Sequence, residues 1–546
     1  MNLSVEPARR NGFFLKISTD EGTSTIHSRY APSREAQRWA DQLAEMSEKI
    51  ILFGAGLGYL PRALEERHVK CFILEPLPKF PAPETCPIRE LESKDYFVRF
   101  DPSLANDAIV SQIPVDFLAG AQPNIHPNYL SIFSSLEQVR DTVLTRGMGL
   151  LRGVESHYRF FHTWLENALS ILPELPRMRS LVDLRDQLRG VPAILVGAGP
   201  SLDTSLNFLR RVSDDFFVLA VDTALYPLQT QGITPDLVVS VDPQKENLRY
   251  LEGIELRSGV TASLTAQPDF LRGAENSYAF PFYIASAETK YPMVPVFQEI
   301  LKFVDGLSPL PAAGSVSTTG LALLKWFDCD PIINIGIDHA YTFHRAISRG
   351  TQWEQSQVRA LNRFYTMAQA HLERIQRKGS DEQRDLQSIK SRRGETILTT
   401  DEYRDQNQWF QYEAQSYSGR CVDGRKDGAP MKYWEPMSRE AISRFGMDRP
   451  LNIFNTNPLR SIEVDMERIQ KWFEDAREEL KQTSVGDVQL MVETTRIPDD
   501  HQGLMVRPLV RYLQTQPDGQ EEKIKEYLKR TRAVLARFRQ DPQKKS

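Results

Sequence analysis

The stretch from 191 to 224 constrains the fold of this chain more than any other. An apolar run of strand length, Ala193–Val196, ends at a turn containing Gly197 and Gly199, and leucines at helical spacing follow from Ser201 onward. This pattern predicts a strand, a tight turn and a helix. Glycines let a backbone approach a ligand closely and a helix start presents free N–H groups, so the turn suits a phosphate. An ordinary turn of a Rossmann-like sheet fits the pattern equally well.

Composition narrows the class of protein. The chain has 546 residues, of which 41% are hydrophobic and 25% charged, the balance of a soluble globular protein with several domains. Apolar stretches of membrane-spanning length and a secretory signal are both missing from the sequence, which predicts a cytoplasmic protein. The distant cysteines Cys71, Cys86, Cys329 and Cys421 predict reduced thiols rather than a metal site. A net charge of −5 provides no general attraction to nucleic acid.

A second glycine-rich turn lies near the N-terminus. Residues 50 to 53 predict a strand, Gly54, Gly56 and Gly58 form its turn, and a further strand ends at Glu75. The spacing is GxGxG rather than the dinucleotide fingerprint GxGxxG, although an acidic residue follows about twenty positions on, as in that fingerprint. The turn therefore indicates either a nucleotide or adenosylmethionine pocket with Glu75 on a ribose, or a Rossmann-like unit kept for packing or assembly.

Acidic residues follow two consecutive predicted strands of the central region, at Asp222 and Asp242. The carboxyl ends of parallel strands meet at one edge of a sheet, where ligands bind, so both are candidates for a ribose, a base edge or a metal. A helix cap or a turn is the alternative for each aspartate taken singly. The DxD motif of Asp328 and Asp330 precedes its strand and is poorly placed to hold a metal at that edge.

Two more loops are predicted at the same edge. The hydroxyl-rich loop 314–319 precedes a helix, and suits either an anion or a plain helix cap. The buried-type strand 331–335 is followed by Asp338 and His339. A histidine beside an aspartate at a strand end is a candidate general base, while a hydrogen bond to a loop carbonyl is the alternative role for His339.

Several segments together resemble the motility-associated-factor (Maf) family of flagellin glycosyltransferases. In chain order they are VGAGPSLD at 196–203, AVDTALYPLQTQGITPDLVVSVDPQ at 220–244, AAGSVSTTGLALLKWFDCDPIINIGIDHAYT at 312–342, GETILTT at 394–400 and DGAPMK at 427–432. The N-terminal IILFGAGLGY, followed by ILEP, also resembles that family. The central domain of the family is similar to bacterial sialyltransferases, which use CMP-activated sugars without a metal, at the turns GAGPSL and GID.

The resemblance implies an enzyme without metal or cofactor that transfers a nonulosonic acid, such as pseudaminic or legionaminic acid, from CMP to serine or threonine of flagellin. The resemblance, together with the pattern of residues at strand ends, assigns twelve residues to the donor site. They are Gly197, Gly199, Pro200, Ser201, Asp222, Asp242, Gly314, Ser315, Ser317, Gly336, Ile337 and Asp338. The first four face the phosphate or ribose, the loop 314–317 forms the opposite wall, and residues 336–338 hold the cytidine.

The expected catalytic residues are Asp338, which fixes the nucleotide, and His339, which activates the acceptor hydroxyl, with His344 or the turn from Asp423 to Asp427 in reserve. This sequence departs from the family in its GIDHAY segment, where a Gly-Gln-Asp form is commoner. Tyr341 is only a loose counterpart of the tyrosines that assist phosphate departure in the sialyltransferases. Help for the leaving group is therefore the least defined part of the expected mechanism.

The predicted fold is α/β. It comprises a Rossmann-like N-terminal domain at 1–128, a helical linker at 129–190, a central GT-A-like, sialyltransferase-like parallel-sheet domain at 191–450, and a helical C-terminal domain at 451–546. In the linker, His157 and His162 lie beside aromatic residues and are expected to be packed, hydrogen-bonded histidines.

Two other functions compete with the glycosyltransferase. Archaeal hydroxymethylpterin diphosphokinases are similar over the same central motifs, which implies a pyrophosphokinase with Mg²⁺ on Asp222, Asp242 or Asp338. The third possibility is a binding or scaffold protein with a vestigial nucleotide site. Thermal stabilisation by CMP, or by ATP with Mg²⁺, distinguishes the three.

Overall fold

A computed structural model describes residues 1–19, 22–118, 120–280, 295–307, 315–378, 382–438, 460–494, 496–515 and 519–538. The chain divides into two compact units. The first contains Met1–Tyr158 and Arg511–Asp518, and the second contains Arg159–Val510 and Gly519–Ser546. The predicted boundary between 450 and 451 lies outside the described residues.

The first unit contains an antiparallel and a parallel sheet. The antiparallel sheet is a meander of β1 (Asn2–Pro7), β2 (Phe13–Thr19) and β3 (Gly22–Ile26). The parallel sheet consists of β4 (Lys49–Phe53), β5 (Lys70–Glu75), β6 (Phe97–Arg99) and β7 (Gln122–Ile125), arranged in the order β6-β5-β4-β7. Its helices are α1 (Pro32–Met46), α2 (Tyr59–Glu65), α3 (Ile88–Leu91), α4 (Asn106–Val110), α5 (Val115–Leu118) and α6 (Pro127–Leu130), and α7 (Leu136–Ile171) begins in this unit and ends in the second.

The second unit is organised around a parallel sheet of eight strands. They are β8 (Ala193–Val196), β9 (Phe217–Val221), β10 (Leu237–Ser240), β11 (Gly259–Ser263), β12 (Ser277–Phe280), β14 (Ile332–Ile335), β19 (Cys421–Asp423) and β20 (Glu435–Pro436), arranged in the order β12-β11-β10-β9-β8-β14-β19-β20. Three antiparallel pairs accompany it: β13 (Val304–Asp305) with β21 (Glu463–Val464), β15 (Arg377–Lys378) with β16 (Glu382–Gln383), and β17 (Gln387–Lys390) with β18 (Thr396–Thr399).

Helices cover the sheet and form the C-terminal region. They are α8 (Leu181–Leu188), α9 (Leu206–Val212), α10 (Leu225–Gln229), α11 (Pro268–Arg272), α12 (Pro295–Leu301), α13 (Val316–Trp326), α14 (Gln352–Gln357), α15 (Met367–Gln376), α16 (Asp401–Ser416), α17 (Met466–Gln482), α18 (Val485–Thr494), α19 (His501–Thr515) and α20 (Gln520–Phe538). Among the described helices, each is too short or too polar to span a membrane. The predicted α/β class, with its parallel sheet and helical C-terminal region, is confirmed.

The central strands form because their sequence is apolar on both faces. All four residues of β8 and of β14 are buried, as expected for a parallel sheet covered by helices on both sides. Helix α13 lies close to this sheet at Gly320, where an added Cβ would approach the side chains of Leu195, Leu219 and Val239. The helix runs into β14, so its first turn lies at the carboxyl edge of the strands.

The two linker histidines are packed, as predicted. His157 is buried and bonded to the carbonyl oxygen of Gly153, and His162 is buried with its Nε2 2.9 Å from the hydroxyl of Thr531. Burial lowers the pKa of each to about 4, so both are neutral near pH 7. All four cysteines are also buried and free.

Candidate functional site

The strand order reverses between β8 and β14. From β8 the chain proceeds to β9, β10, β11 and β12 on one side, whereas β14 is followed by β19 and β20 on the other. The crevice beyond the carboxyl ends of strands at such a reversal is where open α/β sheets bind ligands. The loops at this crevice are the turn 197–201 and the segment 336–342. The sequence pattern predicted that both loops lie at the carboxyl edge of the sheet.

These two loops are bonded directly to each other. The backbone N–H of Gly199 donates to the carbonyl oxygen of Gly336 at 2.7 Å, and the N–H of Ser201 donates to the Asp338 carboxylate at 2.9 Å. The hydroxyls of Ser201 and Thr342 also donate to that carboxylate, the latter at 2.8 Å. Asp338 is therefore the brace that joins the turn after β8 to the loop after β14.

The buried position of Asp338 changes its protonation. Only 3% of the residue is exposed, and burial raises the pKa of the Asp338 carboxyl, although the charge of Arg425 and the hydrogen bonds from Ser201 and Thr342 act against the rise. Arg425 itself is buried and donates to the backbone carbonyls of Ile337 and Asp338, at 3.0 and 3.2 Å. It fixes the backbone of the segment that was expected to hold cytidine.

The two loops approach each other so closely that Gly336 and Gly199 leave no room for a side chain. Gly336 has a φ of +71°, and a Cβ on it would lie 2.2 Å from the carbonyl oxygen of Gly197. A Cβ on Gly199 would lie 2.7 Å from the Gly336 oxygen and 2.9 Å from the carboxyl carbon of Asp338. A larger residue at Gly199 would therefore separate the two loops as well as fill the space at the turn.

The remaining residues of the turn are largely covered. Gly197, Pro200 and Ser201 are buried, Gly199 is partly exposed, and Ile337 is 6% exposed. Any ligand of this turn therefore meets the backbone at Gly199 first. Gly314, predicted to face the turn, lies outside the described residues.

Two carboxylates come together at the ends of β9 and β10. Asp222 is buried and accepts hydrogen bonds from the Ser240 hydroxyl and the Thr223 N–H, each at 2.7 Å. Asp242 is partly exposed and accepts from the N–H of Gln244 at 2.9 Å. Burial, with the neighbouring charge of Asp242, raises the pKa of Asp222 to about 6, although its hydrogen bonds oppose the rise. Asp222 thus titrates close to neutral pH beside a carboxylate that solvent reaches.

The hydroxyl-rich loop forms a helix cap. The Ser315 side chain accepts from the Thr318 N–H at 3.2 Å, and the Thr318 hydroxyl accepts from the Ser315 N–H at 3.0 Å, which is a capping box at the start of α13. Ser317 is partly exposed, and its hydroxyl lies 3.1 Å from that of Ser315. Ser315 therefore fulfils the capping alternative, and Ser317 presents a hydroxyl at the helix start.

His339 does not suit the role of acceptor base. It is 4% exposed, its ring packs edge-on against Phe410 with centroids 4.8 Å apart, and neither ring nitrogen has a hydrogen-bond partner among the described residues. Burial, with the charge of Arg425, lowers the pKa of His339 to about 3, while nearby Asn407 opposes the shift without forming a normal hydrogen bond. The alternative of a bond from the ring to a loop carbonyl is equally absent. The side chain packs the loop against α16.

The other candidates for a base differ in exposure. His344 is exposed, whereas Asp423 is buried and paired with Arg425 through two contacts of 2.8 Å. Asp427 is also buried and accepts from the N–H of Gly428 at 3.0 Å. Of the reserve positions named from the sequence, His344 alone presents its side chain to solvent.

His, Cys, Asp and Glu side chains nowhere converge in groups of three within the described part of the chain. Asp328 and Asp330 precede β14, as predicted, and contact arginines: Arg185 lies 3.7 Å from Asp328, and Arg420 3.1 Å from Asp330.

The N-terminal glycine turn is filled by side chains of its own unit. The Glu75 carboxylate accepts from the N–H groups of Ala55 and Gly56, at 2.8 and 3.1 Å, and His27 accepts from the N–H of Leu57 at 2.8 Å. The Tyr129 hydroxyl lies 2.9 Å from the Gly56 nitrogen and from Glu75. The ribose role considered for Glu75 is therefore wrong, and the packing alternative is the one observed.

A group of arginines and tyrosines near the same edge of the second unit could not be predicted from the sequence. Arg249 follows β10, Arg374 lies in α15, and Arg384 follows β16, near Tyr341 and Tyr403. These residues are far apart in the chain and follow no spacing rule. Two of the arginines, Arg374 and Arg384, lie in the segment 351–393, whose sequence pattern predicts only a helix and a polar loop.

Fold and site define a class: an α/β protein whose second unit has a doubly wound parallel sheet with a ligand crevice at its point of reversal. The solved structure of a MAf glycosyltransferase from Magnetospirillum magneticum AMB-1 has a similar fold. Its TM-score to this chain is 0.54, with 11% sequence identity, over 96% of this chain and 90% of that chain. The resemblance inferred from the motifs is thus confirmed at the level of fold.

Sequence comparisons match shorter parts of the chain. The family of MptE-like 6-hydroxymethylpterin diphosphokinases matches residues 166–343. One uncharacterized protein of Treponema pallidum (strain Nichols) is 30% identical over 140 residues, which are 22% of this chain and 61% of that protein. A second from the same organism is 29% identical over 120 residues, 22% of this chain and 20% of its own length. The chain therefore spans under two thirds of either relative.

Proposed function

We propose that this protein is a glycosyltransferase that transfers a nonulosonic acid from CMP to serine or threonine of flagellin in the cytoplasm. One observation carries the proposal: the Maf-like segments, far apart in the chain, converge on one edge of one parallel sheet. The similarity of fold to the MAf glycosyltransferase over 96% of the chain supports it. Catalysis without metal or cofactor is part of the proposal.

In this proposal the donor lies over the partly exposed Gly199, between Asp242 and the first turn of α13. Free N–H groups and the Ser317 hydroxyl at the helix start favour an anionic group. Asp242 accepts hydrogen bonds from the hydroxyl groups of the sugar donor. The buried Asp222, which is bonded to Ser240 and Thr223, lies next to it. Asp338 acts indirectly, because its carboxylate is used in joining the two loops.

His344 is the proposed base for the acceptor hydroxyl. It ends the 3-10 turn Thr342–His344, whose Thr342 hydroxyl is bonded to Asp338. Phe343 and His344 have φ angles of +54° and +55°, and such left-handed backbone in non-glycine residues clusters at functional sites. The imidazole would take the hydroxyl proton as the oxygen attacks the anomeric carbon and the bond to the CMP phosphate breaks.

A transfer assay tests this assignment. Mass spectrometry of flagellin incubated with CMP-nonulosonic acid should show modification, and His344→Ala should lower kcat by about 10² to 10⁴ with donor affinity unchanged, the usual contribution of a general base. His68→Ala is the matched control, because His68 is also exposed with a left-handed φ of +59° but lies in the first unit. Wild-type transfer by His344→Ala would remove His344 from the mechanism.

A pyrophosphokinase is the second candidate, and the MptE-like match over 166–343 favours it. Thermal shifts separate the candidates, since a ligand at 100 times its Kd stabilises by about 2.7 kcal/mol. Stabilisation by CMP in EDTA supports the glycosyltransferase. Stabilisation only by ATP with Mg²⁺, and release of AMP, would support the kinase, with Asp222 and Asp242 as the metal ligands. No shift with either would indicate a scaffold.

A further inference from the structure

Three arginines of the second unit converge from loops that follow the carboxyl ends of the central strands. Arg249 belongs to the 3-10 turn Lys245–Leu251 after β10, Arg374 to α15, and Arg384 follows β16. Within the described residues, none of the three forms a salt bridge. The backbone N–H of Arg384 donates to the carbonyl oxygen of Gln376 at 2.7 Å, at the end of the helix that carries Arg374, so these two positive charges lie in one small region without an acidic partner from the described residues.

Aromatic rings, rather than carboxylates, surround these cations. The Arg374 guanidinium lies 4.5 Å from the ring centre of Trp353, and that of Arg249 lies 5.3 Å from the ring centre of Tyr250. The Arg249 Nε is buried and has no hydrogen-bond partner. Each ring contacts its guanidinium group without replacing a hydrogen-bond acceptor, and the Arg249 Nε–H is left unsatisfied.

The third arginine connects the cluster to the donor loops. Arg384 donates to the Tyr341 hydroxyl and to the carbonyl oxygen of Arg377, the latter at 3.1 Å. Tyr341, three residues past Asp338, faces the ring of Tyr403 at 5.4 Å. Glu402 acts electrostatically on both tyrosines, but it forms no salt bridge with the arginines.

Electrostatics shows that the three charges interact. Burial, with the charges of Arg384 and Arg249, lowers the pKa of Arg374, although Tyr250 and Tyr403 act in the opposite direction. The lowered pKa means that the free protein bears an unfavourable interaction, which a bound anion would relieve.

Elsewhere in the second unit, arginines that are buried or largely covered are paired with carboxylates. Arg425 contacts Asp423 twice at 2.8 Å, and Arg345 contacts Asp203 at 3.0 Å and also Glu354. The three arginines of the cluster are partly exposed rather than buried, but charges taken partly out of water without such a partner are costly, and groups perturbed in this way are enriched at functional sites. The contrast indicates that the partner of the cluster is a ligand.

We propose that Arg249, Arg374 and Arg384 form an anion subsite that receives a phosphate or carboxylate group of the substrate. This proposal rests on the proposed function, whose donor carries both groups. Planar guanidinium groups bind either anion through paired hydrogen bonds, and Tyr341 and Tyr403 add hydroxyl donors beside them. In the proposed mechanism no other positively charged side chain acts on the departing CMP phosphate. The cluster would supply that charge.

Ligand-affinity measurements on Arg374→Gln and Arg384→Gln test the subsite, with inorganic phosphate, CMP, cytidine and free N-acetylneuraminic acid as probes. Arg363→Gln is the matched control, because Arg363 also stacks on a ring, Phe364 at 4.4 Å, but on an exposed part of the same insertion. Loss of one charged hydrogen-bond partner should weaken anion binding about 10- to 100-fold and leave cytidine unaffected.

The pattern of losses identifies the group. A lost preference for CMP over cytidine assigns the subsite to phosphate, and a loss confined to N-acetylneuraminic acid assigns it to carboxylate. Unchanged affinity for all anions in both folded variants would overturn the proposal.

Arg374→Gln should also keep or raise the melting temperature, because it removes an unpaired charge, and a clear fall would indicate a structural role. Should CMP bind no better than phosphate while the variants still lose phosphate, the subsite stands and the glycosyltransferase proposal fails.

Discussion

The two glycine-rich turns of this chain follow buried strands of parallel sheets in the same way, yet the protein uses them differently. In the first unit, Glu75, Tyr129 and His27 occupy the N–H groups of the turn 54–58. In the second unit, the turn 197–201 is bonded to the loop after β14, and Gly199 stays partly exposed. Glycine spacing therefore predicts a close approach of the backbone. Whether a ligand or the chain itself approaches depends on the rest of the fold.

The largest expected effect comes from adding a methyl group to each turn. Gly336→Ala should destabilise its unit by roughly 3–5 kcal/mol, because the Cβ would lie 2.2 Å from a backbone oxygen that cannot move aside. Gly56→Ala should be milder, since its Cβ meets the side chains of His27 and Ile26, which can yield more readily than backbone. Urea unfolding measures both changes.

Gly350→Ala is the control for backbone strain. Its φ of +73° nearly equals that of Gly336, but nothing lies within 4 Å of its Cβ position, so about 1 kcal/mol is expected. If the three variants were equally stable, close approach would not explain the glycines.

The second effect compares the two carboxylates that brace the turns. Glu75→Ala and Asp338→Ala should each destabilise by about 2–4 kcal/mol, because buried N–H and hydroxyl donors lose their acceptor. Only Asp338→Ala should also weaken CMP binding, since it loosens the loops at the proposed donor site. Isothermal titration with CMP decides this. Equal loss of CMP affinity in Glu75→Ala would mean that the filled turn also serves the ligand.

The third effect is a pH dependence in the second unit. The pKa of Asp222 is about 6 when folded, against 3.8 for a free aspartate, so the folded state holds a proton that the unfolded state releases. Stability from this group is present below about pH 4 and is lost as pH rises through 6, a fall of roughly 3 kcal/mol at 1.36 kcal/mol per unit.

Asp222→Asn should remove this fall. Asp242→Asn should reduce it, because the charge of Asp242 contributes to the raised pKa. Unfolding free energies at pH 4, 5, 6 and 7 provide the comparison. An unchanged pH slope in Asp222→Asn would show that another group is responsible.

The smallest effect concerns the start of α13. Ser315→Ala removes a capping hydroxyl and should destabilise by about 1 kcal/mol. Ser484→Ala removes a capping hydroxyl from α18, where Ser484 accepts from the N–H of Asp487 at 3.1 Å, and it is the matched control because α18 carries none of the proposed site residues. In thermal shifts with CMP, only Ser315→Ala should reduce the stabilisation. If CMP stabilised both variants equally, the start of α13 would not be part of the donor site.

Much of the second unit could be predicted from local pattern. The strand Ala193–Val196 was predicted with its observed bounds, and the strand ending before Asp222 and the one after 331 lie within a residue or two of prediction. Short apolar runs between glycines and prolines leave few alternatives to a buried strand. The bonds between Ser201 and Asp338 were not predictable, because they join residues 137 positions apart.

The sequence by itself determined the two glycine turns, the apolar strands and the acids at their carboxyl ends, because strand, turn and helix signals depend on neighbouring residues. Tertiary structure alone decided that Glu75 fills the first turn, that His339 is buried against Phe410, and that Arg384 lies at the end of the helix that carries Arg374, with no salt bridge to either among the described residues. Burial and charge pairing depend on which distant side chains share a space, and no local spacing encodes that.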